Sequence, residues 1–240
     1  MRLINISTLE LEEFFGEEIP KYAILSHTWI DGEEVTFQEF QDQKKKAEEG
    51  GPNKSGWDKI QSTVQLARKD NHHHVWIDTC CIDKTSSAEL TEAINAMMSW
   101  YEQSQVCYTY LADVPSGLGC QEQQDAFRKS RWFTRGWTLQ ELLAPSKLIF
   151  IFADWTKFGT RDEMAYLVSS ITGIDTEFLH TLVGDENHNF SANAVPAAAI
   201  AKESKDYGET EDNGDDGNDG DNGDSRGNKE GEASKEDGDT

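Results

Sequence analysis

The stretch Tyr22–Trp29, YAILSHTW, gives the chain's clearest strand signal, and the fold is worked out from it. It begins with four apolar residues, which the polar Ser26, His27 and Thr28 follow, a pattern typical of a strand buried on both faces. Three more short apolar runs follow it: VWIDTCC at Val75–Cys81, VCYTYL at Val106–Leu111 and LIFIF at Leu148–Phe152. These four runs predict the strands of one buried sheet.

Amphipathic segments separate the four runs. The predicted helices are Gly56–Lys69, capped by Ser55; a helix after Ser86, which forms a capping box with Glu89; Trp137–Leu143, ended by Pro145; and Arg161–Ile171, stopped at Gly173. Strands that alternate with helices predict an α/β fold, because a parallel connection must cross over one face of the sheet. We therefore expect an open, mostly parallel, flavodoxin-like sheet with helices on both faces.

Polar residues come directly after two of the predicted strands. Ser26 and His27 end the first strand, and Asp78 interrupts the second. Ligands of open α/β sheets bind in the crevice outside the carboxyl ends of the strands. The sequence therefore predicts the functional site at this edge of the sheet.

Charge and composition change sharply near the carboxyl end of the chain. The net charge of the 240 residues is −23. The last 39 residues carry 15 acidic and 5 basic side chains, a net −10, which leaves −13 for the first 201. We predict a folded domain at 1–184, a linker at 185–201 and a disordered acidic tail at 202–240, whose few apolar groups cannot offset the entropy of ordering. The acidic balance argues against nucleic acid as a partner.

The remaining composition favours a soluble cytoplasmic protein. Four cysteines in a chain of this length are not a disulfide framework. The first ten residues lack the charged and apolar regions of a signal peptide. No apolar run approaches the ~18–20 residues that a membrane span needs.

Four segments in order resemble the heterokaryon incompatibility (HET) domain of filamentous fungi. They are Tyr22–Trp29; Trp76–Lys84 (WIDTCCIDK); the helix Glu89–Tyr101 leading into Val106–Val114; and Ser130–Pro145 (SRWFTRGWTLQELLAP). The block RGWTLQELLAP is the most distinctive. HET proteins trigger growth arrest or cell death when genetically different hyphae fuse. The resemblance implies an effector of non-self recognition and programmed cell death that self-associates and responds to an upstream sensor. Two alternatives stay open: a non-catalytic signalling adaptor that acts by homotypic self-association, and an inert remnant.

HET domains also resemble TIR domains, which implies a mechanism. The spacing of Trp137 and Glu141 (WTLQE) is similar to that of the TIR glutamate, which in enzymatic members supports cleavage of the nicotinamide–ribose bond of NAD. On this resemblance Glu141 is the expected catalytic residue, NAD is a substrate, and no cofactor is permanently bound. The expected binding residues are Trp137 as an aromatic wall, Ser26, His27 and Asp78 on ribose or phosphate, and Arg131 or Arg135 on the pyrophosphate.

Structural readings compete with each of these roles. Trp137 fits the core equally well, Glu141 fits an ion pair with Arg135, and Asp78 fits the cap of a turn. His27 could act as a base for Cys80 or Cys81 as nucleophile. The triplet His72–His74 with the same cysteines has no standard zinc spacing, so we predict no metal site.

Overall fold

A computed structural model describes residues 1–42 and 54–180, which contain one seven-stranded sheet and its covering helices. The strands are β1 (Arg2–Asn5), β2 (Glu10–Glu13), β3 (Ala23–His27), β4 (His74–Trp76), β5 (Val106–Tyr110), β6 (Leu148–Ile151) and β7 (Lys157–Thr160). The helices are α1 (Phe37–Gln41), α2 (Ser55–Lys69), α3 (Asp78–Cys81), α4 (Ser87–Gln103), α5 (Cys120–Arg128), α6 (Thr138–Leu143), α7 (Ala165–Thr172) and α8 (Thr176–Leu179). Two 3-10 turns lie at Gly16–Glu18 and Arg131–Thr134. No helix in these ranges is long and apolar enough to cross a membrane.

The sheet has the order β2-β1-β4-β3-β5-β6-β7. The four central strands are parallel, and the outer pairs β1–β2, β1–β4 and β6–β7 are antiparallel. The chain forms β3, then adds β4 on one side of it and β5 on the other. This is the strand order of flavodoxin-like sheets. In such sheets a ligand crevice forms at the point where the strand order reverses. The predicted mostly parallel α/β sheet is confirmed.

Helices cover both faces of the sheet. Every residue of β3 and β5 is buried. Successive side chains of a strand point to opposite faces. Ser26 of β3 bonds Glu141 of α6, whereas the next residue, His27, bonds Lys59 of α2. Adjacent residues of one strand are thus connected to helices on opposite faces.

The second predicted strand is shorter than expected. It ends at Trp76, and the rest of the predicted Val75–Cys81 strand forms α3. Ile77 is the N-cap of this helix, and its carbonyl accepts the backbone N–H of Cys81 at 2.9 Å. This apolar run is buried whether it forms a strand or a helix, so composition alone could not distinguish the two structures.

Three predicted helix starts also differ in detail. Ser55 is the first residue of α2 rather than its cap, and its backbone N–H donates to Glu33. Ser86 does cap α4, but Glu89 bonds the backbone of Asp83 and the side chain of Arg2 instead of completing the capping box. The last predicted helix begins at Ala165 rather than Arg161, and it ends at Gly173 as predicted.

The sequence did not predict the edge elements. The hairpin of β1 and β2, the edge strand β7 and the helices α5 and α8 are short and partly polar. Tertiary contacts outweigh local propensity in such segments. The predicted linker 185–201 and the predicted acidic tail 202–240 lie outside the described residues.

Gly56 permits a close approach between α2 and the loop before α1. A Cβ at this position would lie 2.6 Å from the backbone oxygen of Glu33 and 2.8 Å from the backbone nitrogen of Val35. We predict that Gly56→Ala lowers the free energy of unfolding by about 1–3 kcal/mol through overpacking, although helix propensity alone would favour alanine. Urea unfolding measures the change, with the exposed Gln61→Ala of α2 as control. A Gly56→Ala variant as stable as this control would contradict the prediction.

Candidate functional site

A cavity of about 240 Å³ lies beyond the carboxyl ends of β3 and β4. Its lining residues are Thr28, Trp29, Asp78, Met97, Tyr101, Arg135, Trp137 and Glu141. They come from the ends of two parallel strands, from α4 and from the segment that ends in α6. The cavity therefore sits where the topology of the sheet predicts a ligand crevice.

Glu141 is a buried carboxylate that three donors hold in place. Arg135 binds it in a bidentate manner, with Nη1 donating to Oε2 at 2.8 Å and Nη2 donating to Oε1 at 3.0 Å. Ser26 Oγ donates to Oε2 at 2.6 Å and in turn accepts the indole N–H of Trp132 at 2.7 Å. Glu141 is only 4% exposed, yet it lines the cavity. A carboxylate offers about four acceptor positions, so these three bonds leave one for a ligand.

The Arg135–Glu141 pair keeps both charges inside the protein. Burial alone would lower the pKa of the Arg135 guanidinium, but the charge and hydrogen bonds of Glu141 outweigh burial and raise it. Burial and the negative charge of Glu141 raise the pKa of the Tyr101 phenol well above its ordinary value. At neutral pH, Tyr101 therefore presents a neutral ring to the cavity.

Asp78 is the second carboxylate of the cavity. Its Oδ1 lies 3.0 Å from His27 Nε2, and its Oδ2 lies 3.6 Å from the ammonium of Lys84. Burial alone would raise the pKa of Asp78, but the charge of Lys84 and the hydrogen bond of His27 hold it well below its usual range. Asp78 thus stays ionised across the physiological pH range.

Aromatic rings form much of the remaining wall. Trp29, Tyr101 and Trp137 all line the cavity. Trp137 is 7% exposed, so it belongs to both the core and the cavity, and the two readings of this residue are compatible. The ammonium of Lys84 lies 3.5 Å from the centre of the Trp29 ring, a cation–π contact at the cavity edge.

The structure brings together four of the seven predicted site residues. Glu141, Arg135, Asp78 and Trp137 line the cavity, whereas Ser26 and His27 lie behind its carboxylates, 0% and 2% exposed. Arg131 does not line the cavity. Its side chain is 63% exposed and faces Asp113, which also accepts its backbone N–H at 2.8 Å.

Sequence reasoning missed several residues of the site and its support, including Thr28 and Trp29 of the cavity lining. Trp132 and Lys59 hold the residues behind the cavity, and Met97 and Tyr101 line it from α4. Met97 and Tyr101 carried a signal, because apolar residues four positions apart form one face of an amphipathic helix. Lys59 carried none, since a lysine in an amphipathic helix is usually exposed.

The cysteine and zinc alternatives gain no geometric support. Cys80 and Cys81 are 0% and 2% exposed, and burial raises the pKa of the Cys80 thiol well above its ordinary value, which disfavours a thiolate nucleophile. His74 bonds Glu12 at 2.9 Å. Among residues 1–42 and 54–180, no group of three or more His, Cys, Asp or Glu side chains could hold a metal ion.

Ser26 connects a buried indole N–H to a buried carboxylate. We predict that Ser26→Ala lowers the free energy of unfolding by about 1–3 kcal/mol, because the Trp132 N–H loses its partner without access to water. Urea denaturation followed by tryptophan fluorescence measures this loss. The double variant Ser26→Ala/Trp132→Phe also removes the unpaired donor. Its loss of unfolding free energy should therefore be smaller than the sum of the losses in the two single variants, by about 0.5 kcal/mol or more. Strict additivity would contradict the prediction.

Comparison with known proteins places the sequence of the chain among incompatibility proteins. Residues 22–124 match the family model described as "Heterokaryon incompatibility protein (HET)". This range contains Ser26, His27 and Asp78 but ends before Arg135 and Glu141. The chain is 42% identical over 167 residues to the vegetative incompatibility protein HET-E-1 of Podospora anserina, a match that covers 68% of this chain and 12% of that protein. No solved structure matches the chain.

Proposed function

The chain belongs to the heterokaryon incompatibility (HET) family, and from this premise we propose that it is an effector of fungal non-self recognition that causes cell death by cleaving NAD in the Glu141 cavity. The chain spans about 12% of the length of its curated relative. A single observation carries the catalytic part of the proposal. A fixed, buried carboxylate faces a cavity with aromatic walls at the crevice of a parallel sheet.

The chemistry suits this arrangement. Breaking the bond between ribose C1′ and the pyridinium nitrogen sends the bonding electron pair to nicotinamide, which leaves as a neutral molecule without a general acid. Positive charge develops on the ribosyl group, as in glycoside hydrolysis, and a nearby carboxylate stabilises it. Water adds to C1′ and releases one proton, so the products are nicotinamide and ADP-ribose.

The size and charge of the cavity favour one half of the dinucleotide. At about 240 Å³ the cavity is smaller than the ~300–1,000 Å³ typical of sites that enclose a drug-sized ligand. We propose that it takes the nicotinamide riboside half, with aromatic rings against the pyridinium, whose positive charge they favour. Arg135 then orients Glu141, and its unused N–H groups remain available to the pyrophosphate.

One observation favours the second candidate, a non-catalytic adaptor that acts by self-association. Tyr166 on α7 is 82% exposed and Phe178 on α8 is 45% exposed, and these two helices contact each other. A contiguous exposed apolar patch is typical of a protein-binding surface. A Tyr166→Glu variant that abolishes both assembly and toxicity, while the Glu141 variants remain toxic, would favour the adaptor.

The deciding experiment uses the purified full chain. The protein is concentrated until sedimentation shows self-association, and NAD loss and nicotinamide release are then followed by chromatography. We expect nicotinamide and ADP-ribose in equal amounts from the wild-type protein and far less from Glu141 variants. No turnover by an assembled wild-type protein would overturn the enzymatic proposal and leave the adaptor.

A further inference from the structure

Two adjacent residues of β3 each hold one of the cavity carboxylates. Ser26 donates to Glu141, and His27 contacts Asp78 at 3.0 Å. Because these two side chains point to opposite faces of the sheet, the two carboxylates approach the cavity from different sides. The Ser26 side supports the proposed catalytic residue, whereas the His27 side has no role in the chemistry described so far.

The groups around His27 assign its tautomer. Lys59 Nζ lies 3.2 Å from Nδ1, and an ammonium group has donors only, so Nδ1 accepts. Nε2 therefore carries the proton and donates it to the Asp78 carboxylate. Lys59 is itself fixed by a hydrogen bond to the Glu34 carboxylate and by one to the Thr28 carbonyl at 3.3 Å.

This geometry excludes His27 as a base that acts on a ligand. The ring is 2% exposed, and both of its nitrogens have partners within the protein. The charged or titratable groups around it come from separate elements: Lys59 on α2, Glu34 in the loop before α1, and Asp78 on α3, which is paired with Lys84. His27 can therefore act on the cavity only through Asp78.

We infer that Asp78 is a ribose-binding carboxylate and that His27, fixed in its Nε2–H tautomer by Lys59, is the positioning residue that aims it. The identity of the ligand rests on the proposed function. A carboxylate only accepts hydrogen bonds, so Asp78 fits hydroxyl groups and repels a phosphate. Of the two contacts that the sequence allowed for Asp78, ribose and phosphate, the structure favours ribose.

Nitrogen-15 NMR of the full chain tests the tautomer without any turnover. The His27 signals are identified by their loss in a His27→Gln variant. We expect a pyridine-type Nδ1 and a pyrrole-type Nε2 in the wild-type protein. In Lys59→Met we expect the Nδ1 signal to move away from its wild-type position, because Nδ1 then loses its donor while the Glu34 carboxylate remains 3.9 Å away. Lys59→Gln, which still offers an N–H donor, keeps the wild-type pattern. A pyrrole-type Nδ1 in the wild-type protein would overturn the assignment.

A matched pair of variants tests the positioning. The amide N–H of His27→Gln can replace Nε2–H, whereas the shorter side chain of His27→Asn cannot reach Asp78. We expect the KM for NAD to rise about tenfold in His27→Asn with kcat nearly unchanged, since ribose is held equally in the ground and transition states, and to stay near wild type in His27→Gln. Equal KM values in the two variants would refute the positioning role.

If the wild-type protein does not turn NAD over, the same comparison is made with Kd from calorimetry. Failure of the wild-type protein to bind NAD at all would refute the proposed function and the ribose role, and the NMR pattern alone would then decide the Lys59–His27–Asp78 arrangement.

Discussion

We expect nicotinamide release to fall by about 10²–10³-fold when Glu141 is replaced by glutamine, because the variant loses the charge that the proposed mechanism uses to stabilise the ribosyl cation. Glutamine preserves the shape of the side chain but removes the charge that is hydrogen-bonded to the buried Arg135. Removing one partner of a buried ion pair typically costs about 3–5 kcal/mol of stability. A loss of activity in this variant therefore has two possible causes, loss of the charge and loss of the fold.

Glu141→Asp separates these causes. Aspartate keeps the negative charge and a partner for Arg135, but it draws the carboxylate back by one methylene. A misplacement of this order costs about 10²-fold in rate. We expect this variant to unfold at nearly the wild-type urea concentration and to release nicotinamide about 10²-fold more slowly. The exposed Glu102→Gln of α4 serves as the control and should leave the rate unchanged. A folded Glu141→Asp protein with wild-type turnover would exclude Glu141 from the chemistry.

The centre of the fold could be predicted because its strands are buried on both faces. The runs around β3, β5 and β6 are mostly apolar, every residue of the three strands is buried, and burial leaves few other structures for such runs. The edge strand β2 has the sequence ELEE, which carries no strand signal of its own. It forms because β1 offers it an unpaired edge. Such pairing depends on residues distant in the sequence and is invisible to a local pattern.

The candidate site was predictable to the extent that its residues follow strands. Asp78 lies two residues after the end of β4, so topology alone placed it near the crevice. The bond between Glu141 and Ser26 joins residues 115 positions apart and depends on how α6 packs. Likewise, the sequence offered Arg131 and Arg135 as equal candidates for a phosphate, and only the packing shows that one of them holds Glu141 while the other is exposed. Spacing identifies candidates, and tertiary packing assigns their roles.

Arg161 is the residue whose loss should most destabilise the helix that carries Glu141. It is 5% exposed, and its guanidinium donates to four backbone carbonyls. They belong to Leu142 at 2.8 Å, Leu143 at 3.3 Å and Pro145 at 3.0 Å, at the end of α6, and to Leu179 at 2.9 Å in α8. The last carbonyls of a helix have no partner within it, so this one side chain satisfies groups that would otherwise be buried and unpaired.

We expect Arg161→Met to lower the free energy of unfolding by about 3 kcal/mol or more, because each hydrogen bond from a charged donor contributes about 1.5–3 kcal/mol and several are lost together. Arg161→Lys should lose less, since one ammonium group can reach only some of the four acceptors. The exposed Arg128→Met, whose hydrogen bond is to Ser170, should change stability by less than about 0.5 kcal/mol. Urea unfolding of the three variants ranks these losses, and equal midpoints for Arg161→Met and Arg128→Met would contradict the role of Arg161. Replacing Arg161 loosens the end of α6, the helix that carries Glu141. Nicotinamide release should therefore also decline in the Arg161→Lys protein at urea concentrations where it remains folded.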